Sequence, residues 1–154
     1  MNAIHEASTA VLETPNANEL ILPQGLIGFP DHHRAELLYS PEHLPFVWMR
    51  LYGPDTLHFV VIEAGQVVSD YLPEIFGEDA AQLEIADTAD ALVLNIVTLR
   101  GAGARGAVVN LIGPLIVNRR TRVARQRVIA NHARYSAQHP LPFKQAPYAN
   151  ARSS

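Results

Sequence analysis

Residues Ala107 to Asn118, reading A-V-V-N-L-I-G-P-L-I-V-N, constrain the fold more than any other stretch of the chain. Five of these twelve residues are Val or Ile, whose branched side chains favour extended backbone, so the segment asks to be a strand. Gly113-Pro114 interrupts it. Pro114 has no N–H to give to a ladder, which excludes a long uninterrupted central strand and predicts a bulge or edge kink. Asn110 and Asn118 frame the break and are suited to hydrogen-bond the backbone around it. Upstream, Ala91 to Leu99 (A-L-V-L-N-I-V-T-L) reads as a second strand, joined through the loop R-G-A-G-A-R-G, so a hairpin is expected at the centre of the fold. Nothing in it is a nucleophile or a general base.

Other segments extend the pattern. Phe46 to Tyr52 and Thr56 to Glu63 flank the turn signal Gly53-Pro54-Asp55 and predict another hairpin. In the latter strand, Leu57, Phe59 and Val61 fall on one face and Val60 and Ile62 on the other, so both faces need cover, as in a barrel with an added layer. Leu20 to Phe29 reads as a short strand running into a turn at Pro23, Gly25 and Gly28. Ala35 to Tyr39, Val67 to Leu72 and Ala124 to Ala130 read as further strands. Ser40 to His43, with Ser40 as cap and Pro41 at the first position, predicts a one-turn helix, and Glu78 to Leu83 after Gly77 a short true helix. Seven to nine short strands predict an all-β fold, a small antiparallel β-barrel or sandwich with one or two short helical turns. Residues 1–19 read as a flexible N-terminal tail with a nascent helical turn at Ile4 to Leu12, 20–141 as one domain, and 142–154 as a Pro-rich tail that hugs the surface or stays disordered.

Composition narrows the function. The chain has 154 residues, no cysteine and a formal charge of −3, which excludes disulfides and thiolate chemistry and gives no global attraction to nucleic acid. Its first residues lack a basic start followed by an apolar run, so no signal peptide is expected. Its apolar runs are strand-length, below the roughly 20 residues of a spanning helix, so no membrane span is expected, and the absence of cysteine is compatible with a reducing cytoplasm.

Two clusters carry a chemical suggestion. Asp31-His32-His33 could begin a metal-dependent hydrolase site, since carboxylate and imidazole share borderline cations. The remaining histidines are scattered without i, i+4 partners, so a solvated turn is the plainer expectation. His58, between Leu57 and Phe59, is expected as a hydrogen-bonded core or rim residue. The run Arg119, Arg120, Arg122, Arg125, Arg127 puts five arginines in nine residues with no carboxylate among them. Direct RNA binding is the sharper reading of it, and a charged edge strand the plainer one. The glycines after Leu99 lead into a strand rather than a helix, so no phosphate loop forms, and no G-x-S-x-G elbow exists. No catalytic residue, metal or cofactor is therefore expected.

Several blocks recur in a known order: L-P-Q-G-L-I-G-F at Leu22 to Phe29, P-F-V-W-M at Pro45 to Met49, L-H-F-V-V-I at Leu57 to Ile62, and S-D-Y at Ser69 to Tyr71. They are followed by L-N-I-V-T-L at Leu94 to Leu99, N-L-x-x-P-L-I-V-N at Asn110 to Asn118, Gln126 with Val128-Ile129, and Y-S-x-x-H-P-L at Tyr135 to Leu141. In this order they resemble the FliW family of flagellar assembly factors. The resemblance implies a cytoplasmic β-barrel protein that is no enzyme and takes no cofactor. It implies two protein partners, flagellin before its export and the RNA-binding regulator CsrA, and no direct contact with nucleic acid. Expected partner-facing or partner-shaping residues are Phe29, Glu63, Asp70, Tyr71, Asn110, Gly113, Pro114 and Asn118, with Glu63 and Asp70 presenting negative charge to a basic protein.

Overall fold

A computed structural model of the chain describes residues 18–99 and 106–141. Most of the expected N-terminal tail, its helical turn, the R-G-A-G-A-R-G loop and the Pro-rich C-terminal tail lie outside the described residues. The strands are β1 (Glu19–Ile21), β2 (Arg34–Leu38), β3 (Val47–Tyr52), β4 (Thr56–Ile62), β5 (Ala91–Thr98), β6 (Val108–Val109), β7 (Leu115–Asn118), β8 (Ala124–Gln126) and β9 (His139–Pro140). One short helix, α1 (Gly77–Gln82), lies between β4 and β5, with Glu78 and Asp79 in its first turn, where carboxylates suit the helix dipole.

The sheet is antiparallel throughout its ladders and runs β1-β2-β3-β4-β5-β6-β9, with a branch from β5 through β7 to β8. A single parallel bridge between Ile21 and Val123 brings the end of that branch against β1, and the Ile21 amide donates to the Arg122 carbonyl at 2.9 Å. The strands thus curl into a barrel-like sheet joined by one bridge rather than by a full ladder.

β4 explains why there are two cores. Its residues alternate between faces, and both faces are apolar at its C-terminal half. Val61, with Leu57 and Phe59 beside it, enters a first core inside the curled sheet, with Leu20, Leu37, Met49, Leu51, Leu94, Leu115 and Val117. Val60 and Ile62 face a second core with Phe46, Val68, Tyr71, Val97, Val109, Leu111 and Ile129. The second core is the added layer that the sequence of β4 requires.

β5 positions everything else. Four residue steps separate Thr98 from Leu94 on β5, whereas seven separate their partners Val108 and Leu115, so the partner strand carries three extra residues between β6 and β7. The Gly-Pro break is this bulge. Each of its backbone polar groups is matched. The Asn110 amide donates to the Ile96 carbonyl at 3.0 Å, and the Leu111 amide donates to the Ser136 carbonyl at 3.0 Å. The Ile112 and Gly113 amides both donate to Asn110 Oδ1, each at 3.0 Å. The carbonyl of Asn110 accepts from Asn95 Nδ2 at 2.9 Å, that of Leu111 from the Tyr71 hydroxyl at 2.8 Å, and that of Gly113 from Gln126 Nε2 at 3.0 Å. The Ile112 and Pro114 carbonyls accept from the Ile129 and Arg127 amides, at 3.0 and 3.1 Å. Pro114, having no N–H, leaves nothing unpaired.

Asn118 does not act at this kink. It is fully buried and closes the next turn instead: Oδ1 accepts from the Arg120 and Thr121 amides at 2.8 and 3.1 Å, while Nδ2 donates to the Leu83 carbonyl at 2.8 Å after α1.

Three expected elements differ. Ser40 to His43 is no helix: its bonds close only three-residue spans, His43 N–H to Ser40 O and Phe46 N–H to His43 O, giving successive turns before the cis Leu44–Pro45 bond. Val67 to Leu72 is no strand, because local bonds from Val68 to Ala64 and from Tyr71 to Val68 bury Val68 and Tyr71, three apart, on one side. Ala124 to Ala130 stops pairing as a ladder at Gln126, since the Arg127 and Ile129 amides turn to the bulge carbonyls. In compensation, His139–Pro140, not among the expected strands, adds to β6 as β9.

The bulge is held by Asn110 more than by proline. Asn110→Ala strips two amides of their acceptor and is expected to lower stability by about 2 kcal/mol. Pro114→Ala should cost less than about 1 kcal/mol, mostly through unfolded-chain entropy; urea denaturation of both variants checks the order. Tyr71, 4% exposed, has its hydroxyl pKa pushed up to about 12 by burial, partly opposed by the hydrogen bond from Asn95. The folded state therefore favours the neutral phenol: this stabilisation is complete below pH 10 and is lost as pH rises toward 12. Between those limits the wild type should lose on the order of 2 kcal/mol more than Tyr71→Phe does, measured by denaturation at stepped pH.

Candidate partner-binding surface

The turns that replace the expected strand at Val67 to Leu72 place part of the predicted site between two grooves. The larger, about 630 Å³, has Val68, Leu111 and Tyr135 among its lining residues, together with Asp70, Arg134 and His139. The smaller, about 330 Å³, is lined by Glu63, Gln66, Tyr71, Leu72, Pro73 and Val93 among others. Glu63, Asp70 and Tyr71 are thus brought to neighbouring grooves by one short segment. Asp70 adopts a left-handed backbone, φ +62°. The Tyr135 hydroxyl holds it there, donating to the Asp70 carbonyl at 3.0 Å and accepting from the Leu72 amide at 2.9 Å.

Asn131 completes the clamp, donating to the Leu72 carbonyl and accepting from the Glu74 amide, both at 2.8 Å. These side chains stand in for a neighbouring strand. The Tyr71 and Tyr135 rings meet edge to face at 4.9 Å, and Asn95 Nδ2 donates to the Tyr71 hydroxyl at 3.0 Å. A chain of hydrogen bonds therefore runs from the grooves to the bulge. Sequence reasoning singled out neither Asn95 nor Asn131 as a site residue, and Tyr135 entered only within Y-S-x-x-H-P-L; a lone asparagine in a strand or turn carries no local signal of this role.

The other expected site residues divide by burial. Asn110 is half-buried, and Gly113, Pro114 and Asn118 are buried, so they shape the surface from beneath. Tyr71 is also buried and supports its groove through its ring. Glu63 is half-buried, 4.0 Å from Arg119. Phe29 sits elsewhere, its ring edge-on to Phe59 at 5.7 Å and to His32 at 5.8 Å beside the first core.

Asp31, His32 and His33 do not converge. His32 is buried and its Nε2 lies 2.8 Å from Asp55 Oδ1 and 3.1 Å from the Asp55 carbonyl, plugging the β3–β4 turn. Its ring packs so closely on Gly53 that a Cβ there would lie 2.6 Å away. His33 instead reaches the Pro30 carbonyl at 2.9 Å, and Asp31 is exposed. Among the described residues no three His, Cys, Asp or Glu side chains are grouped to hold a metal ion. His58, expected in the core or at its rim, is exposed, because it points outward from β4 opposite Arg50.

The arginine run is dispersed in space. Arg127 pairs with the buried Asp79 at 2.9 Å, Arg125 donates to Gln24 at 3.0 Å, and Arg122 reaches the Glu19 carbonyl at 3.4 Å. The carboxylates missing from the local sequence arrive from α1 and from the end of β4. No helix among the described residues is long and apolar enough to cross a membrane.

Comparison with known proteins agrees with this architecture. The chain is similar to a flagellar assembly factor FliW of Natranaerobius thermophilus, 32% identical over 127 residues that cover 82% of this chain and 83% of that protein. It is 29% identical to the FliW of Geobacter sulfurreducens over 136 residues, covering 88% and 82%. A crystal structure of the flagellar assembly factor FliW superposes with a TM-score of 0.70 at 26% identity, covering 86% of this chain and 92% of that one. The family model described as FliW protein matches residues 3–141, and the chain belongs to the FliW family of flagellar assembly factors.

Proposed function

We propose that this protein works by binding rather than catalysis, in the cytoplasm, as a chaperone-like factor that holds flagellin before export and otherwise sequesters CsrA. The observation that carries this reading is the family match across residues 3–141. Freed of exported flagellin, the factor captures CsrA, translation of CsrA-repressed messages resumes, and flagellin synthesis follows assembly. If both partners cannot be held at once, each weakens the other's apparent affinity by the same factor, so free flagellin sets free CsrA.

The surface supports such a role in a specific way. Glu63 and Asp70 place carboxylates at the two grooves, a charge that suits a basic RNA-binding protein. A direct RNA contact has less support, since Arg122, Arg125 and Arg127 are each engaged within the fold and Arg119 lies near Glu63.

Titrating a CsrA–RNA complex with the purified protein should release the RNA without producing a new protein–RNA band, and added flagellin should restore the complex. RNA that stays bound, or RNA that shifts with this protein alone, would refute the proposal. Glu63→Lys should weaken CsrA capture roughly tenfold, an effect that shrinks as salt rises; unchanged capture would remove Glu63 from the interface.

A further inference from the structure

The sheet face that bears the second core is covered over only part of its width. Along one register row, Leu38, Trp48, Val60, Val97, Val109 and His139 stand side by side across six strands. The three valines are buried, whereas Leu38 and Trp48 at one end of the row stay half-buried. Just past the strand ends, Leu99 follows β5 and Leu141 follows β9. Both, like Trp48, pack against the second core while remaining partly open.

The polar groups next along this face already satisfy one another. Arg50, two residues from Trp48 on β3, lies 3.6 Å from Glu36 Oε1, the Tyr52 hydroxyl donates to Glu36 at 2.8 Å, and the Arg34 guanidinium sits 4.9 Å from the centre of the Tyr52 ring. The margin formed by Trp48, Leu99 and Leu141 therefore calls for apolar cover rather than for a counter-charge.

We propose that the chain supplies this cover itself: residues 142–148, P-F-K-Q-A-P-Y, lie as a strap over the margin, with Phe143 on Trp48 and Leu99. The strap starts in the right place, because the Leu141 amide still donates to the Ala107 carbonyl at 3.1 Å. It also starts in the right direction. A residue that precedes proline is held extended, and alternation along an extended chain returns Phe143 to the face of Leu141. Pro142 and Pro147 restrict the undocked segment and so reduce the entropy lost on docking. The segment lies beyond residue 141, where the family match stops, so the strap is a feature of this chain and does not rest on the proposed function. While it is in place, any other polypeptide must displace it to reach Trp48, which lowers the apparent affinity of this face for competitors.

Trp48 is the only tryptophan in the chain, so its fluorescence reads this site alone. In the isotope-labelled full-length protein, nuclear Overhauser contacts are expected between the Phe143 ring and the side chains of Trp48 and Leu99. Phe143→Ala should raise acrylamide quenching of Trp48 about twofold and shift its emission to the red, while Phe143→Leu, which keeps an apolar anchor, should stay near the wild type. A peptide of residues 142–148 should protect Trp48 in the Phe143→Ala variant only at roughly millimolar concentration, the order that tethering supplies within the chain. The proposal is overturned by absence of those contacts, by equal quenching in wild type and Phe143→Ala, by contacts from residues 1–17 in place of Phe143, or by Trp48 protection that fades on dilution as cover from a second copy would.

Discussion

Three surplus residues opposite β5 are the constraint on which the rest of the structure depends. A ladder cannot absorb them, so residues 110–114 leave the pairing pattern, and their amides and carbonyls need partners that a sheet would have supplied. Those partners come from five separate places: Ile96 and Asn95 on β5, Tyr71 after the turns that follow β4, Asn110 itself, Gln126 at the end of β8 with Arg127 and Ile129 just after it, and Ser136 before β9. The bulge consequently gathers the second half of the chain around itself. It also explains why the strand at β8 is short: the amides that would have continued it are spent on Pro114 and Ile112.

The same bulge sets the boundary between the two cores. β7 after it turns Leu115 and Val117 into the first core, whereas Val109 before it and Leu111 within it enter the second. Leu111 is where packing meets the candidate surface: it borders the larger groove although only 1% exposed, and its carbonyl receives the Tyr71 hydroxyl. The buried Asn95 that steadies this arrangement keeps Oδ1 without a hydrogen-bond partner among the described residues. A buried acceptor of that kind costs about 1–3 kcal/mol. The cost is sustained because the two hydrogens of Nδ2 fix both the Asn110 carbonyl and the Tyr71 hydroxyl, which no apolar side chain could do.

Legibility in the sequence followed the range of the interaction. The β3–β4 hairpin, β5 and the short helix near Glu78 were readable because alternation, a Gly-Pro-Asp turn and an alanine-rich run are local signals. The two-sided apolar pattern of β4 correctly announced a second layer. Val67 to Leu72 misled, since valines suggest extension, yet burial of Val68 and Tyr71 on one side bends the chain through turns. Around the two grooves, Glu63, Asp70 and Tyr71 were expected as site residues and lie there, whereas Asn131 and Asn95 were not legible, because their roles are contacts at separations of 59 and 24 residues. The same reasoning accounts for Asn118, readable as a backbone-capping asparagine but not as the cap of its own following turn and of α1.

Charge is the property that sequence order represented least well. Five arginines in a row of nine imply a basic patch only if their neighbours in space are those in sequence. Strand alternation and the β7–β8 turn instead send them in several directions, and Arg127 meets Asp79, which is 2% exposed. A buried carboxylate without a cation would be heavily penalised, so this arginine is committed to the fold and is not available to a ligand. Arg134 lies outside the run, at the larger groove that Asp70 also lines, and forms no ion pair among the described residues. The charge of this run is therefore distributed by strand alternation and by the contacts its arginines make, rather than by the local density of arginine.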